Sequence, residues 1–325
     1  MRLCREGATV LEQKQVSAKM AEIKSNIEQV IVGKSEAVDL VLICLLCGGH
    51  VLLEDVPGLG KTSLVAALSQ SIDCSFRRIQ FTPDVLPSDV TGYHMFHPQT
   101  GEQVFYPGAV MSQIVLADEI NRTSPKTQSA LLQAMQEGQV TLEGETRTLP
   151  QPFMVCATQN PVGLTGTYPL PEAQLDRFFM RISLGYPAAG DEIAILERNK
   201  AGAKTADLAP VVTGEEVLAM QSFLQESTCA RAIMAYIVDI VNRTRTHKDV
   251  TLGVSPRGSI ALMRAAMGCA ALAGRHFVLP DDVQAMAVPV LAHRLALNAQ
   301  AYVQNRTAET VLEDILHQTP VPAVS

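Results

Sequence analysis

Asp55-Val56-Pro57-Gly58-Leu59-Gly60 runs into Lys61-Thr62-Ser63, and this stretch carries the clearest chemistry in the chain. Phosphate oxygens need many donors at close range. A glycine-rich turn lets backbone N–H groups approach, and a following helix adds its N-terminal donors and dipole. In such a loop Lys61 reaches the β- and γ-phosphates of a nucleotide and the Thr62 hydroxyl ligates Mg²⁺. The strict pattern begins with glycine, where this chain has Asp55. Aspartate tolerates unusual backbone angles, but its charge is unhelpful near a triphosphate unless the side chain points away. The bland alternative is a plain strand–turn–helix connection.

A second reactive pair, Asp118-Glu119, closes the apolar run Ile114-Val115-Leu116-Ala117. Two adjacent acids are usually just solvated. At the end of a buried strand beside a phosphate loop they form the other half of a hydrolytic site. Asp118 would orient Mg²⁺ through water, and Glu119 would polarise the attacking water.

These groups need a frame. Val51-Leu52-Leu53 is a short continuous apolar run, as expected of a strand buried on both faces of a parallel sheet. Phe76–Ile79, Ile114–Ala117, Phe153–Ala157 and Phe178–Leu184 read the same way. Helices are expected over Met20–Val30 and Ala37–Cys47, and from Lys61 to Ile72, with Leu64, Val65, Leu68 and Ile72 on one face. Another starts at Ser124-Pro125 and stops at Gly138. Strands alternating with helices predict a doubly wound α/β sheet. Tyr93–Tyr106 and Gln139–Leu149 interrupt it as hairpins. Gly185-Tyr186-Pro187 marks a boundary. Beyond it Glu216–Gln225, Ala232–Arg245, Pro256–Gly274 and Asp281–His293 read as an all-α second domain. Residues 1–20 read as a frayed extension and the last ten or so as disordered.

The chain has 325 residues, 47% hydrophobic and 18% charged, with a formal charge of −7. That composition excludes intrinsic disorder and argues against nucleic-acid binding by bulk charge. The longest apolar run, Leu40–Leu53, is broken by Gly48-Gly49-His50. It falls short of the roughly 20 residues a membrane span needs. Seven scattered cysteines and no secretory leader point to a reducing cytoplasm.

In order along residues 22–295, the motifs resemble the MoxR family of AAA+ ATPases. The matching residues are Glu54 to Thr62, Gln80-Phe81-Thr82-Pro83-Asp84, Ala117-Asp118-Glu119-Ile120-Asn121-Arg122, Ala157-Thr158-Gln159-Asn160-Pro161, Leu170 to Phe178 and Ser255-Pro256-Arg257. Asp55 in place of glycine is typical of that family. The resemblance implies an AAA+ α/β nucleotide-binding core over 21–186, a lid domain over 187–303 and a tail over 304–325. It implies ATP and Mg²⁺ as cofactors. Val32-Gly33 resembles the segment that packs against adenine. Asn160 resembles the sensor that places the attacking water, against the plainer reading of a turn Asn before Pro161. Arg177 resembles an arginine finger projecting into a neighbour's site, against a surface ion pair with Asp176 or Glu172. Arg257 resembles the lid sensor arginine, in cis or in trans. Arg122 has an equally good structural reading, facing Asn121 or the adjacent loop. The hairpins resemble inserts that face a pore or partner.

The function so implied is a homo-oligomeric, hexameric ring that hydrolyses ATP to remodel protein partners, some carrying a von Willebrand factor A domain. A nucleic-acid motor and a nucleotide-gated module with little turnover are the competing readings. Cys44 and Cys47 sit in an apolar run without a second pair, so packing is expected rather than metal or redox chemistry. His94 and His97, three apart on a strand, point to opposite faces and cannot share an ion. Asp281-Asp282 reads as a helix start.

Overall fold

The computed structural model describes residues 13–56, 58–97, 99, 101–159, 168–200 and 208–322. Helices α1 (Gln13–Glu28) and α2 (Ser35–Leu46) precede β1 (Val51–Glu54). The chain continues through α3 (Lys61–Ser71), β2 (Phe76–Gln80) and α4 (Pro87–Thr91). A hairpin of β3 (Gly92–Phe96) and β4 (Gln103–Pro107) leads to β5 (Ile114–Asp118) and α5 (Pro125–Glu137). A second hairpin, β6 (Gln139–Leu142) and β7 (Glu145–Thr148), leads to β8 (Met154–Gln159), α6 (Glu172–Leu175) and β9 (Met180–Ile182). Then follow α7 (Ala189–Lys200), α8 (Gly214–Glu226), α9 (Arg231–Thr246), β10 (Val250–Leu252) and α10 (Pro256–Leu272). Last come α11 (Pro280–Leu291), β11 (Ala296–Leu297), α12 (Ala299–Val303) and α13 (Ala308–Gln318).

The central sheet is parallel, in the order β2-β5-β8-β1-β9. The inner strands β1, β5 and β8 carry continuous apolar runs because both faces are covered, whereas β2, expected to be buried the same way, is largely exposed at the sheet edge. Val51 and Leu53 join Ile114, Leu116, Met154 and Cys156 in one core, with α1, α2, α3 and the C-terminal helices. Leu52, Val115, Ala117, Val155 and Ala157 face the other way, against α5. Alternate side chains therefore feed different cores, which makes the register strict. The carboxyl ends of β1, β5 and β8 fall side by side, where open α/β sheets place their ligand sites.

Ser124 caps α5 by accepting the Thr127 N–H, and Gly138 ends it in a left-handed turn at φ 63°. Asp282 likewise accepts the Leu279 N–H at the start of α11 and pairs with Arg275 at 2.6 Å.

Two expectations need correction. The extension is helical from Gln13, because Val16, Met20, Ile23 and Ile27 recur on one face and are fully buried. The C-terminal region is helical as expected, with one short antiparallel pair, β10 and β11, inserted in it. Residues 304–325, expected as a tail, include the helix α13, whose Val311, Leu312 and Ile315 are buried and whose first turn is capped by Thr307. No helix among the described residues is long and apolar enough to cross a membrane.

Candidate active site

The loop after β1 turns through two left-handed glycines, Gly58 at φ 90° and Gly60 at φ 88°. A Cβ at either would meet open space, so backbone angle rather than crowding favours glycine there. Pro57 lies outside the described residues. Val56 and Leu59 complete the loop, and Lys61 opens α3. The Lys61 ammonium donates to the Asp55 carbonyl at 2.5 Å and reaches the Val56 carbonyl at 3.5 Å. Desolvation lowers its pKa, with Asp55, Asp118, Glu119 and Glu54 opposing.

The Asp55 carboxylate does not face the phosphate side. Its Oδ1 accepts from Ser183 Oγ at 2.7 Å and from the Gly185 N–H at 3.3 Å, and its Oδ2 accepts the Leu184 N–H at 2.5 Å. The residue that departs from the strict pattern therefore stitches the loop's base to the chain leaving β9. Gly185 also accepts from Lys34 Nζ at 2.9 Å. Val32-Gly33, the expected adenine segment, is thus joined to the same point. Gly33 sits at φ 67° and packs so tightly on Asp191 of α7 that a Cβ would lie 2.1 Å from Asp191 Oδ2.

Asp118 ends β5 and is buried. Its Oδ1 accepts from Thr158 Oγ1 at 2.6 Å and its Oδ2 from Arg78 Nη2 at 2.7 Å. Glu119 takes a left-handed conformation, φ 56° and ψ 49°. For a non-glycine residue this costs on the order of 1–3 kcal/mol, and such strain clusters at functional sites. Its N–H donates to the same Thr158 hydroxyl at 2.8 Å. Its carboxylate accepts from Gln80 Nε2 at 3.0 Å and from Arg122 Nη1 at 2.9 Å. Arg122 therefore braces Glu119.

One cleft of about 380 Å³ is lined by Gly58, Gly60, Lys61, Thr62, Ser63, Arg78, Gln80, Asp118, Glu119 and Thr158. It brings the donor-rich loop and both carboxylates together. The hydroxyl of Thr62 and the carboxylate of Asp118 are hard oxygen donors suited to Mg²⁺. A larger cleft of about 1010 Å³ lies between Glu54, Gln159, Arg181 and the segment from Ala292 to Glu309, away from this chemistry.

Arg177 and Arg257 do not line the cleft. Asp176, next to Arg177, accepts from Arg294 Nε at 2.7 Å and lies 3.9 Å from Arg257 Nη1. Asp176, one of the two acids offered as a partner for Arg177, is thus engaged by Arg294, and Arg257 lies near the Arg177 segment. Asn160 lies outside the described residues.

Sequence reasoning gave no role to Thr158, Arg78 or Gln80. Thr158 and Gln80 lie inside quoted motifs, so position next to the acids was an available signal. Arg78 had none. Cys44 and Cys47 are buried, and burial pushes both thiols up, Cys47 to about 12, which leaves them inert. His94 lies near Glu143 and Glu145 at 3.6 and 3.4 Å. The described residues hold no cluster of three metal-ligating side chains.

Residues 50–180 match the family described as ATPases associated with various cellular activities (AAA), and residues 242–315 match the AAA lid domain. YeaC of Bacillus subtilis (strain 168) is 51% identical over 91% of this chain and 93% of its own. Chaperone MoxR1 of Mycobacterium tuberculosis is 37% identical over 92% of this chain and 81% of its own. Protein MoxR of Paracoccus denitrificans is 32% identical over 94% and 97% respectively. A crystal structure from Cytophaga hutchinsonii superposes with a TM-score of 0.89 at 36% identity, covering 96% of this chain and 97% of that one.

Proposed function

Because the chain belongs to the MoxR family of AAA+ ATPases, we propose that it hydrolyses ATP with Mg²⁺ in a homo-oligomeric, hexameric ring, working in the cytoplasm on protein partners. The observation that carries the hydrolytic part is the Thr158 hydroxyl, which fixes Asp118 and Glu119 together on the wall facing Lys61 and Thr62.

The loop N–H groups bind the phosphates, and Lys61 leaves the Asp55 and Val56 carbonyls for the β- and γ-oxygens. Thr62 and Asp118 would hold Mg²⁺. The chemistry it would supply is neutralisation of phosphate charge. Glu119 takes the proton of the attacking water at its carboxylate, and Asn160 helps place that water. Arg177 acts on the neighbour's γ-phosphate. Arg257 is assigned beside it in trans, a reading supported by its position 3.9 Å from Asp176 and its absence from the described lining of the cleft. Partners carrying a von Willebrand factor A domain fit the relationship to MoxR proteins. A formal charge of −7 counts against a nucleic-acid track.

The test is multiple-turnover phosphate release. The protein should turn over, Lys61→Ala should lose nucleotide affinity, and Glu119→Gln should bind ATP but slow about 10²–10⁴-fold. Wild-type turnover in Glu119→Gln would remove the base. A single turnover by the unmodified protein would favour a nucleotide-gated module.

A further inference from the structure

Arg78 is a cation at the nucleotide cleft that neither the loop motif nor the acidic pair accounts for. It lies on β2, an edge strand of the sheet, and its guanidinium crosses to the acid that ends β5. The same Nη2 lies 2.7 Å from Asp118 Oδ2 and 2.9 Å from Gln80 Oε1. Gln80 in turn donates to Glu119. Among the described residues lining the cleft, the cationic side chains are Lys61 and Arg78. Lys61 is held at the loop end, on the Asp55 and Val56 carbonyls. Arg78 is held at the carboxylate end.

We propose that Arg78 is a triphosphate-reading residue, a guanidinium that passes from Asp118 to the terminal phosphate of the bound nucleotide and so distinguishes a nucleoside triphosphate from a diphosphate. The inference rests on the nucleotide site proposed above. Arg78 and the metal that accompanies a nucleotide draw on one carboxylate, because Asp118 Oδ1 is already taken by Thr158 and Oδ2 by Arg78. Metal arriving at Asp118 weakens the hold on Arg78. The pair is easily given up: the arginine side chain is 49% exposed, and ion pairs so open to water are weak. A guanidinium matches phosphate oxygens with two parallel donors, which a lysine does not. A diphosphate lacks the group that would receive it. The position also links occupancy to the catalytic acid, since a moving Arg78 releases the Gln80 carbonyl whose own amide holds Glu119.

The experiment measures affinity, not turnover. Calorimetry in Mg²⁺ buffer compares a non-hydrolysable imidotriphosphate analogue of ATP with ADP, on the unmodified protein and on Arg78→Ala, Arg78→Lys and Lys61→Ala. Arg78→Ala should bind the triphosphate analogue about tenfold more weakly and ADP less than twofold more weakly. Arg78→Lys should recover part of the difference, and Lys61→Ala should lose both ligands. Melting curves of the variants confirm that each is folded. Equal losses for the two ligands would overturn the inference, because Arg78 would then act only by propping Asp118. So would an unchanged or improved triphosphate affinity. Failure of the unmodified protein to bind either ligand would overturn the nucleotide site itself. A sound site with an unaltered triphosphate-to-diphosphate ratio in Arg78→Ala would overturn this inference alone.

Discussion

Replacing Asp55 by glycine restores the residue that the strict phosphate-loop pattern places there, and it should leave the protein worse. The Asp55 carboxylate is buried and receives three donors, Ser183 Oγ, Leu184 N–H and Gly185 N–H. Hydrogen bonds to a charged group contribute about 1.5–3 kcal/mol each, and a buried donor left alone costs about 1–3. The Gly185 contact is long, at 3.3 Å, and Ser183 can rotate toward another acceptor, so fewer than three full losses apply. Roughly 3–5 kcal/mol is the expected destabilisation, with about 0.5–1 more for the freedom of the added glycine. At about 2–4 °C per kcal/mol, the melting temperature should fall by roughly 10 °C. Nucleotide affinity should fall as well, because the lost carboxylate anchors the start of the loop to the chain leaving β9. The assay is thermal unfolding by circular dichroism, paired with nucleotide titration. A melting temperature within about 2 °C of the unmodified protein, or tighter nucleotide binding, would refute the stitching role.

Thr158→Val keeps shape but removes the hydroxyl shared by Asp118 and Glu119. Hydrolysis should fall about 10–100-fold, as expected for about 1.5–3 kcal/mol of lost positioning, while nucleotide affinity in calorimetry changes little. Equal losses in both would contradict this. Mixing Arg177→Ala with Lys61→Ala, each inactive alone, should restore part of the phosphate release wherever an intact finger meets an intact loop. No recovery in mixed rings proven by sedimentation would remove the trans role. His50 accepts the Val155 N–H at 3.0 Å and donates to the Met135 carbonyl at 3.1 Å, and burial lowers its pKa to about 4. The unfolded chain protonates below about 6.5, so it binds the extra proton between pH 6.5 and 4. Stability is therefore full above pH 6.5 and drops by about 1.4 kcal/mol per pH unit on acidification, to about 3 kcal/mol by pH 4. Burial and Arg294 lower His293 too, which acts in the same direction. His50→Gln should flatten melting temperature against pH in this window, and parallel slopes would speak against it.

The parallel strands were legible because burial on both faces leaves an unbroken apolar run, as in Val51-Leu52-Leu53. The loop was legible because its chemistry is local: Gly58, Gly60 and Lys61 do their work within four residues. Thr158 was not, because its meaning depends on a neighbour 40 residues away across the sheet. Asp55 was read only as a departure from the pattern, since its three donors lie about 130 residues downstream. The helix α13 carried a signal that went unused: Thr307 as cap, then Val311, Leu312 and Ile315 on one face. The composition around Pro320 and Pro322 masked it. The strands β10 and β11 had no such signal, being three and two residues long.

The strand that carries the phosphate loop leaves the ribosome long before the strands on either side of it. β1 lies between β8 and β9, which begin at Met154 and Met180, and the loop's anchor extends to Gly185. At about 5–20 residues per second, the interval between Glu54 and Gly185 is on the order of 10 s. Until β8 emerges, Val51-Leu52-Leu53 lacks both neighbouring strands, and until β9 follows one of its edges stays open to other chains. The nascent protein therefore passes through a period of exposure set by strand order. During synthesis its nucleotide site closes only when β9 and the residues just after it have emerged.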